Sequence, residues 1–181
     1  MWNNIGILPR KAQLYLTKLL FRGFVEKGSF EKIWIEDHSP VLMNIKERLE
    51  RERPFKDLRI GVCLPATWET FMLLTALKSG RASISFVPMF PAPEVFTQLL
   101  KETNIEIKKG SRGIVMKSDF LYDCDATFGK TIVQEEADVK GIVEQTTSGI
   151  AKYKEYSDKG LLKQPVFALN SSNIKRLREN R

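Results

Sequence analysis

Histidine and cysteine are nearly missing from this sequence, which has one His and two Cys. A zinc site needs several such ligands, so His38, with no second His or cysteine pair nearby, reads as a surface or capping residue, and no metal is expected. Asp123 and Asp125 flank Cys124, and two carboxylates are too few for a hard-cation site. Cys63 and Cys124 each sit in an apolar stretch rather than in a cysteine framework, which points to free thiols and a reducing, cytoplasmic setting. No Gly-x-Gly-x-x-Gly occurs, so the chain carries no dinucleotide fingerprint of its own. Gly129-Lys130-Thr131 looks like the end of a phosphate-binding loop, but the glycine required five positions before Gly129 is Cys124, and the match is rejected. There is no run of about 18 apolar residues, and Met1-Trp2-Asn3-Asn4 lacks the charged and apolar regions of a signal peptide. Neither membrane association nor secretion by that route is expected.

What the sequence does contain is globular. Its 181 residues are 43% hydrophobic and 28% charged, enough for one core with at most a small appendage. The net charge of +7 permits anionic partners without choosing among them. Part of the excess lies in the terminal run Lys175, Arg176, Arg178 and Arg181, which reads as a solvated helix face; with no interleaved aromatic platform, nucleic acid is not expected as a partner.

Periodicity organises the chain. Residues 9–22 place Leu14, Leu16, Leu19 and Leu20 among Arg10, Lys11, Lys18 and Arg22, an amphipathic helix read as packed on the body rather than on a membrane. Ser39-Pro40 should start a second helix, with Val41, Leu42, Ile45 and Leu49 on one face and Pro54 as its stop. Beyond it, strands at 58–64, 82–87, 105–108, up to 123, 139–143 and 165–169 alternate with helices at 66–80, 93–103 and 147–159. The fold class is therefore α/β, a three-layer α/β/α arrangement around a mostly parallel sheet, Rossmann-like or flavodoxin-like, preceded by N-terminal helices. The expected organisation is a helical segment over 1–56 packed on an α/β unit over 57–181. Ligands of such sheets bind beyond the carboxyl ends of the strands. That directs attention to Pro65–Thr70, Pro88–Glu94, Asp123–Thr127, Glu144–Ser148 and Asn170–Lys175.

These segments, taken in order, resemble the adenosylhomocysteinases. LRIGVCLPATWET is similar to that family's Gly-x-x-Leu-His-x-Thr-x-x-Thr strand and turn, and DFLYDCDATF to its Asp-Asp-Gly-Gly-Asp-Leu-Thr segment. GIVEQTTSGI is similar to Gly-x-x-Glu-Glu-Thr-Thr-Thr-Gly-Val, and KGLLKQPVFALNSSNIKRLREN to the family's Gly-x-Leu-x-x-Pro segment with its later Asn, Lys and Asp-Asn. The likeness runs over roughly 33–180 and corresponds to the family's N-terminal substrate domain. It implies a site for adenosine or S-adenosylhomocysteine, worked on in the family by NAD held on a second domain, which oxidises the ribose so that homocysteine can be eliminated and water added.

By resemblance, Thr67 and Glu69 match residues that recognise the adenine, and Thr70 matches the threonine that follows. Asp123 matches the catalytic aspartate and Lys175 the lysine beside the ribose; Gln145, Glu179 and Asn180 fall at substrate-binding positions, and Thr146, Thr147 and Ser148 match a run that contacts NAD. Each has a plainer reading: Glu69 as a first-turn helix carboxylate, Asp123 as a strand-end cap, Lys175 as part of the basic terminal helix, and Thr146–Ser148 as a helix cap. The departures are specific. Pro65 stands where the family has histidine and Gln145 where it has a second glutamate. The loop Pro88-Met89-Phe90-Pro91-Ala92-Pro93-Glu94 is apolar where the family's is polar, and the stretch between Ile107 and Asp119 is short, as if a helix were lost. The sequence given ends at Arg181, where the family's linker to the NAD domain would begin. Three readings follow: a chain that binds the nucleoside without hydrolysing its conjugate, with no cofactor of its own; an enzyme half that needs a separate NAD-binding chain; or a structural or regulatory subunit that pairs with itself or with a full-length relative, its pocket vestigial and its Pro88–Pro93 loop part of an interface.

Overall fold

Six short apolar runs become the six strands of one sheet in the computed structural model, which describes residues 37–173 and 175. The chain divides after His38, and the unit that begins at Ser39 carries the sheet. The expected helices at 9–22 and beyond Lys175, together with Glu179 and Asn180, lie outside the described residues.

Helix α1 (Pro40–Glu52) begins with Pro at its first position, as the sequence predicts, but the Ser39 side chain makes no capping hydrogen bond. Its apolar face departs from expectation: no residue of α1 is buried, and Val41 and Ile45 are 70% and 45% exposed. Strand β1 (Arg59–Leu64) and β2 (Ser83–Pro88) flank helix α2 (Trp68–Ser79); α3 (Glu94–Glu102) leads to the two-residue β3 (Glu106–Ile107). A single turn, α4 (Arg112–Val115), precedes β4 (Phe120–Asp123), so the short stretch expected to have lost its helix retains one turn. Then come α5 (Gly129–Gln134), which the sequence pattern did not reveal, β5 (Gly141–Glu144), α6 (Thr147–Asp158) and β6 (Val166–Ala168).

All five strand pairings are parallel and the order is β3-β2-β1-β4-β5-β6. This decides between the two expected wirings in favour of the Rossmann order, whose direction reverses between β1 and β4. On one face Phe71 of α2 and Phe96 of α3 pack edge-on with centroids 6.2 Å apart, and Phe96 lies 5.8 Å from Phe86 of β2. On the other, Cys63, Leu121 and Ile142 of the sheet join Ile114, Phe128, Ile132 and Tyr153 in one buried cluster. Both cysteines are buried and free.

The α4 turn sits against the sheet only because Gly61 has no side chain. A Cβ there would come within 2.3 Å of Ile114 Cγ2 and 2.8 Å of Leu121 Cδ2. Overpacking of this kind costs about 1–3 kcal/mol, so Gly61→Ala is expected to lower the melting temperature by roughly 4–8 °C in thermal denaturation. An unchanged transition would mean that α4 does not pack as closely as described.

Candidate functional site at the carboxyl edge of the sheet

The strand order places the ends of β1, β4, β5 and β6 along one edge, with β1 and β4 on either side of the reversal. After β1, the Pro65 carbonyl accepts the Thr67 N–H at 2.9 Å, a tight turn that aims the chain into α2. Thr67 caps that helix by accepting the Thr70 N–H at 3.3 Å, and the two hydroxyl oxygens lie 3.4 Å apart. Thr70 is buried, whereas Thr67 and Glu69 are exposed; the Glu69 carboxylate pairs with nothing among the described residues. Pro65 has neither a backbone N–H nor an ionisable group to offer a ligand.

Beyond β4 the geometry is of a different kind. Asp123 is 0% exposed, with Oδ1 accepting the Cys124 N–H at 2.8 Å and Oδ2 accepting the Phe128 N–H at 2.9 Å and the Tyr153 hydroxyl at 2.5 Å. Glu144, likewise 0% exposed, accepts four hydrogen bonds: Oε1 from the Asp125 N–H at 3.1 Å, the Thr146 N–H at 2.7 Å and the Thr146 hydroxyl at 2.6 Å, and Oε2 from the Ala126 N–H at 3.1 Å. Asp125 and Ala126 hold left-handed backbone, φ 60 and 52, so their amides turn inward to the carboxylates. A loop that in other folds cradles a bound anion is here filled by the chain's own carboxylates. This is why Gly129-Lys130-Thr131 is no phosphate loop.

Asp123 thus occupies the strand-end position expected of it, but its oxygens are committed to the protein. Burial pushes its carboxyl up to about 6 against the pull of Tyr153 and the two amides, with Glu144 nearby adding to the rise. Burial likewise raises the Cys63 thiol to about 12, opposed by a hydrogen bond with Thr127. At the exposed rim, Lys152 Nζ meets Asp125 Oδ2 at 2.8 Å and holds that carboxyl below its usual range, helped by Ser148.

The residues after β5 act first as a helix cap. Thr146 Oγ1 accepts the Gly149 N–H at 3.0 Å and the Asp125 N–H at 3.1 Å, and Thr147 accepts a hydrogen bond from Asn170 at the end of β6. Ser148 donates to Thr146 at 3.4 Å. Thr147 and Ser148 are exposed, and Gln145 is half-buried with a side chain that pairs with nothing among the described residues. Lys175 is half-buried, its backbone N–H donating to Ser172 Oγ at 3.3 Å. Gly149 is obligatory: a Cβ there would lie 2.2 Å from the Glu144 carboxyl carbon. Tyr153 is the residue of this edge that sequence reasoning left out, and Glu144 entered only as the first residue of the segment Glu144–Ser148, with no role given to it. The available signal was a glutamate ending an otherwise apolar strand, GIVE, directly before a threonine cap.

No family model matches the chain. Curated relatives do: the adenosylhomocysteinase of Aquifex aeolicus is 30% identical over 175 residues, a span covering 86% of this chain and 42% of the relative. That of Sulfurisphaera tokodaii is 31% identical over 176 residues, covering 86% and 41%. This chain is a homologue of the adenosylhomocysteinases. The S-inosyl-L-homocysteine hydrolase of Methanosarcina mazei is 29% identical over 176 residues, 87% of this chain and 43% of its own. The chain therefore spans about two fifths of the length of the relatives it matches. Among solved structures, a Granulicella M. formate dehydrogenase aligns at TM-score 0.40 and 9% identity, over 66% of this chain and 40% of that one. The described residues form an α/β unit with an all-parallel sheet, and among them no helix is long and apolar enough to cross a membrane and no group of three metal-ligating side chains occurs.

The pH dependence of stability tests the Asp123 site. With its carboxyl raised to about 6 in the fold and near 3.8 when unfolded, the native chain binds the extra proton between those values. Stability is then greatest below about pH 4 and falls as pH rises to about 6, by the order of 3 kcal/mol, before levelling off. Denaturant unfolding across that window should show this slope, and Asp123→Asn should remove it. A wild-type chain with the same pH dependence as the variant would mean that Asp123 is not buried as described.

Proposed function

We infer that this chain binds an adenosine-type ligand at the carboxyl edge between β1 and β4 and does not by itself carry a homocysteine conjugate through hydrolysis. The observation that supports this most directly is the asymmetry of the edge. The β1 side keeps an exposed, unpaired carboxylate at Glu69 beside the Thr67 and Thr70 hydroxyls, while the β4 side has its aspartate sealed inside the protein. A carboxylate at a helix N-terminus can accept from the exocyclic amine of a purine, with the ring against Thr67 and the half-buried Trp68. General acid and base work at a ribose needs an ionisable side chain within hydrogen-bond reach of the reacting oxygen or carbon. Pro65 cannot provide it, Gln145 does not titrate, and Asp123 has no access to solvent. Lys175 remains the one ionisable side chain assigned to catalysis that is not sealed, and a lone lysine does not make the acid and base pair that elimination and addition require.

Any NAD would be presented by another domain, and Thr147 and Ser148 are the hydroxyls this chain exposes toward it; Thr146 is occupied with Glu144 and the helix cap. The cofactor would supply hydride transfer, and this chain would orient the sugar. Because relatives named for adenosyl and for inosyl conjugates match this chain at nearly equal identity, the base itself is an open variable of the proposal. A purine with an exocyclic amine suits the free Glu69 carboxylate better than one with a carbonyl at the same position. A second reading, in which the chain is a structural subunit, draws on the Pro88–Pro93 loop, where Phe90 is 61% exposed.

Calorimetric titration with adenosine, inosine and S-adenosylhomocysteine decides between them. Saturable binding, stronger for adenosine than for inosine and weakened about tenfold or more by Glu69→Ala, is the expected outcome. No homocysteine release is expected with or without added NAD, and release abolished by Asp123→Asn would overturn that part of the proposal. Absence of nucleoside binding, together with self-association lost in Phe90→Ser, would favour the structural reading.

A further inference from the structure

The opposite, amino edge of the sheet carries its own concavity, of about 490 Å³, where α1 and α2 end and β2 begins. Its lining includes Glu50, Arg53, Lys78, Ser79, Arg81 and Ser83, three cations against one carboxylate. Basic residues at helix C-termini ordinarily serve the terminal carbonyls and the dipole. Here backbone N–H groups already serve four of those carbonyls. Leu49 O accepts the Arg53 N–H at 2.8 Å, Ala76 O the Gly80 N–H at 3.2 Å, Leu77 O the Ala82 N–H at 3.4 Å and Lys78 O the Arg81 N–H at 2.9 Å. Lys78 Nζ reaches across to Asn104 O at 3.3 Å. The Arg53 and Arg81 guanidiniums pair with no carboxylate among the described residues, Glu50 included.

The scaffold beneath them is fixed. Phe55 N–H donates to Gly80 O at 2.9 Å and Ser83 N–H to Leu58 O at 2.9 Å, so the connection that carries Arg53 is tied to the one that carries Arg81. Both arginines also hold left-handed backbone, φ 51 and 73, which a glycine would adopt without steric cost. A cavity of this size falls within the range of about 300–1,000 Å³ usual for small-molecule sites. Two planar guanidinium forks and an ammonium offer more donors than the two oxygens of a carboxylate can accept, whereas a phosphate group presents three.

We propose that this cavity binds a small phosphorylated molecule, its phosphate held between Arg53 and Arg81 and its remainder lying over Ser79 and Ser83. The site is separate from the nucleoside edge and does not depend on it. Titration of the full chain with pyrophosphate and with inorganic phosphate, at constant ionic strength against chloride, tests it. The expected result is saturable binding of one pyrophosphate per chain, weakened at least tenfold in the double variant Arg53→Ala, Arg81→Ala and tightened by Glu50→Gln. Both arginines are exposed, so the double variant should keep the wild-type melting temperature without ligand; Lys78→Ala offers a second variant should it not. Equal affinity in wild type and variants, or no heat change up to about 10 mM, would overturn the proposal. Adenosine binding unchanged in the double variant is expected; its loss there would overturn the separation of the two sites.

Discussion

The carboxyl edge depends on two carboxylates buried without a cationic partner and solvated instead by backbone. Taking such a group out of water costs several kcal/mol unless its lone pairs are satisfied. Asp123 and Glu144 together accept seven hydrogen bonds, five of them from the backbone amides of Cys124, Asp125, Ala126, Phe128 and Thr146. The arrangement is mutual: the amides turn inward only because Asp125 and Ala126 accept left-handed backbone, and that backbone holds only because the carboxylates are there to receive it. Glu144 also grips the Thr146 cap, so the loop after β4, the turn after β5 and the start of α6 form one hydrogen-bonded body. Gly149 is the concession the helix makes to that body, since any side chain would enter the space of the glutamate.

That body constrains the chemistry. An aspartate that must receive two amides and a tyrosine hydroxyl to be buried at all is a poor proton shuttle toward an external sugar, because each oxygen it would lend is already engaged. The residues of the β1 turn are under no such demand: the Thr67 cap uses one oxygen, and Glu69 is left whole. On the proposed function, Pro65 and Gln145 supply no group that moves protons, while the open Glu69 carboxylate on the adjoining turn is the group proposed to recognise the ligand. Homology to about two fifths of the adenosylhomocysteinases agrees with a substrate-side role and leaves catalysis to be argued from the side chains themselves.

Most of the fold was legible in the sequence, because apolar runs such as RIGVCL and FLYD have few other places to go than the middle of a sheet, and Pro40, Pro54 and Gly80 punctuate α1 and α2 in the usual way. The strand order was legible only as far as the alternation of strand and helix, since nothing local separates the Rossmann wiring from the flavodoxin one. At the site, positions along the edge were readable and orientations were not. Asp123 and Thr146 fall where expected, but their engagement depends on φ values at Asp125 and Ala126 that no propensity rule assigns to those residue types in sequence. The helix α5 escaped notice for the same reason: it starts from amides pinned by Asp123, not from a cap visible in its own residues, and Phe128 at its start makes no side-chain cap. The apolar face of α1 shows the opposite failure, a clear pattern of which Leu42 and Leu49 are only half-buried and Val41 and Ile45 stay exposed.

The two edges of the sheet also divide the charge. At the carboxyl edge Asp123 and Glu144 are internal and Asp125 is tied to Lys152, so the surface there is formed by hydroxyls, the Gln145 amide and the exposed carboxylates of Glu69 and Glu94. At the amino edge the excess is cationic, with Arg53, Lys78 and Arg81 gathered where two helices end. Part of the net charge of +7 thus sits at the amino edge, and part in the terminal run Lys175, Arg176, Arg178 and Arg181. The anion proposed for the amino edge would be met there by cations, while the loops at the carboxyl edge take their shape from the carboxylates buried beneath them.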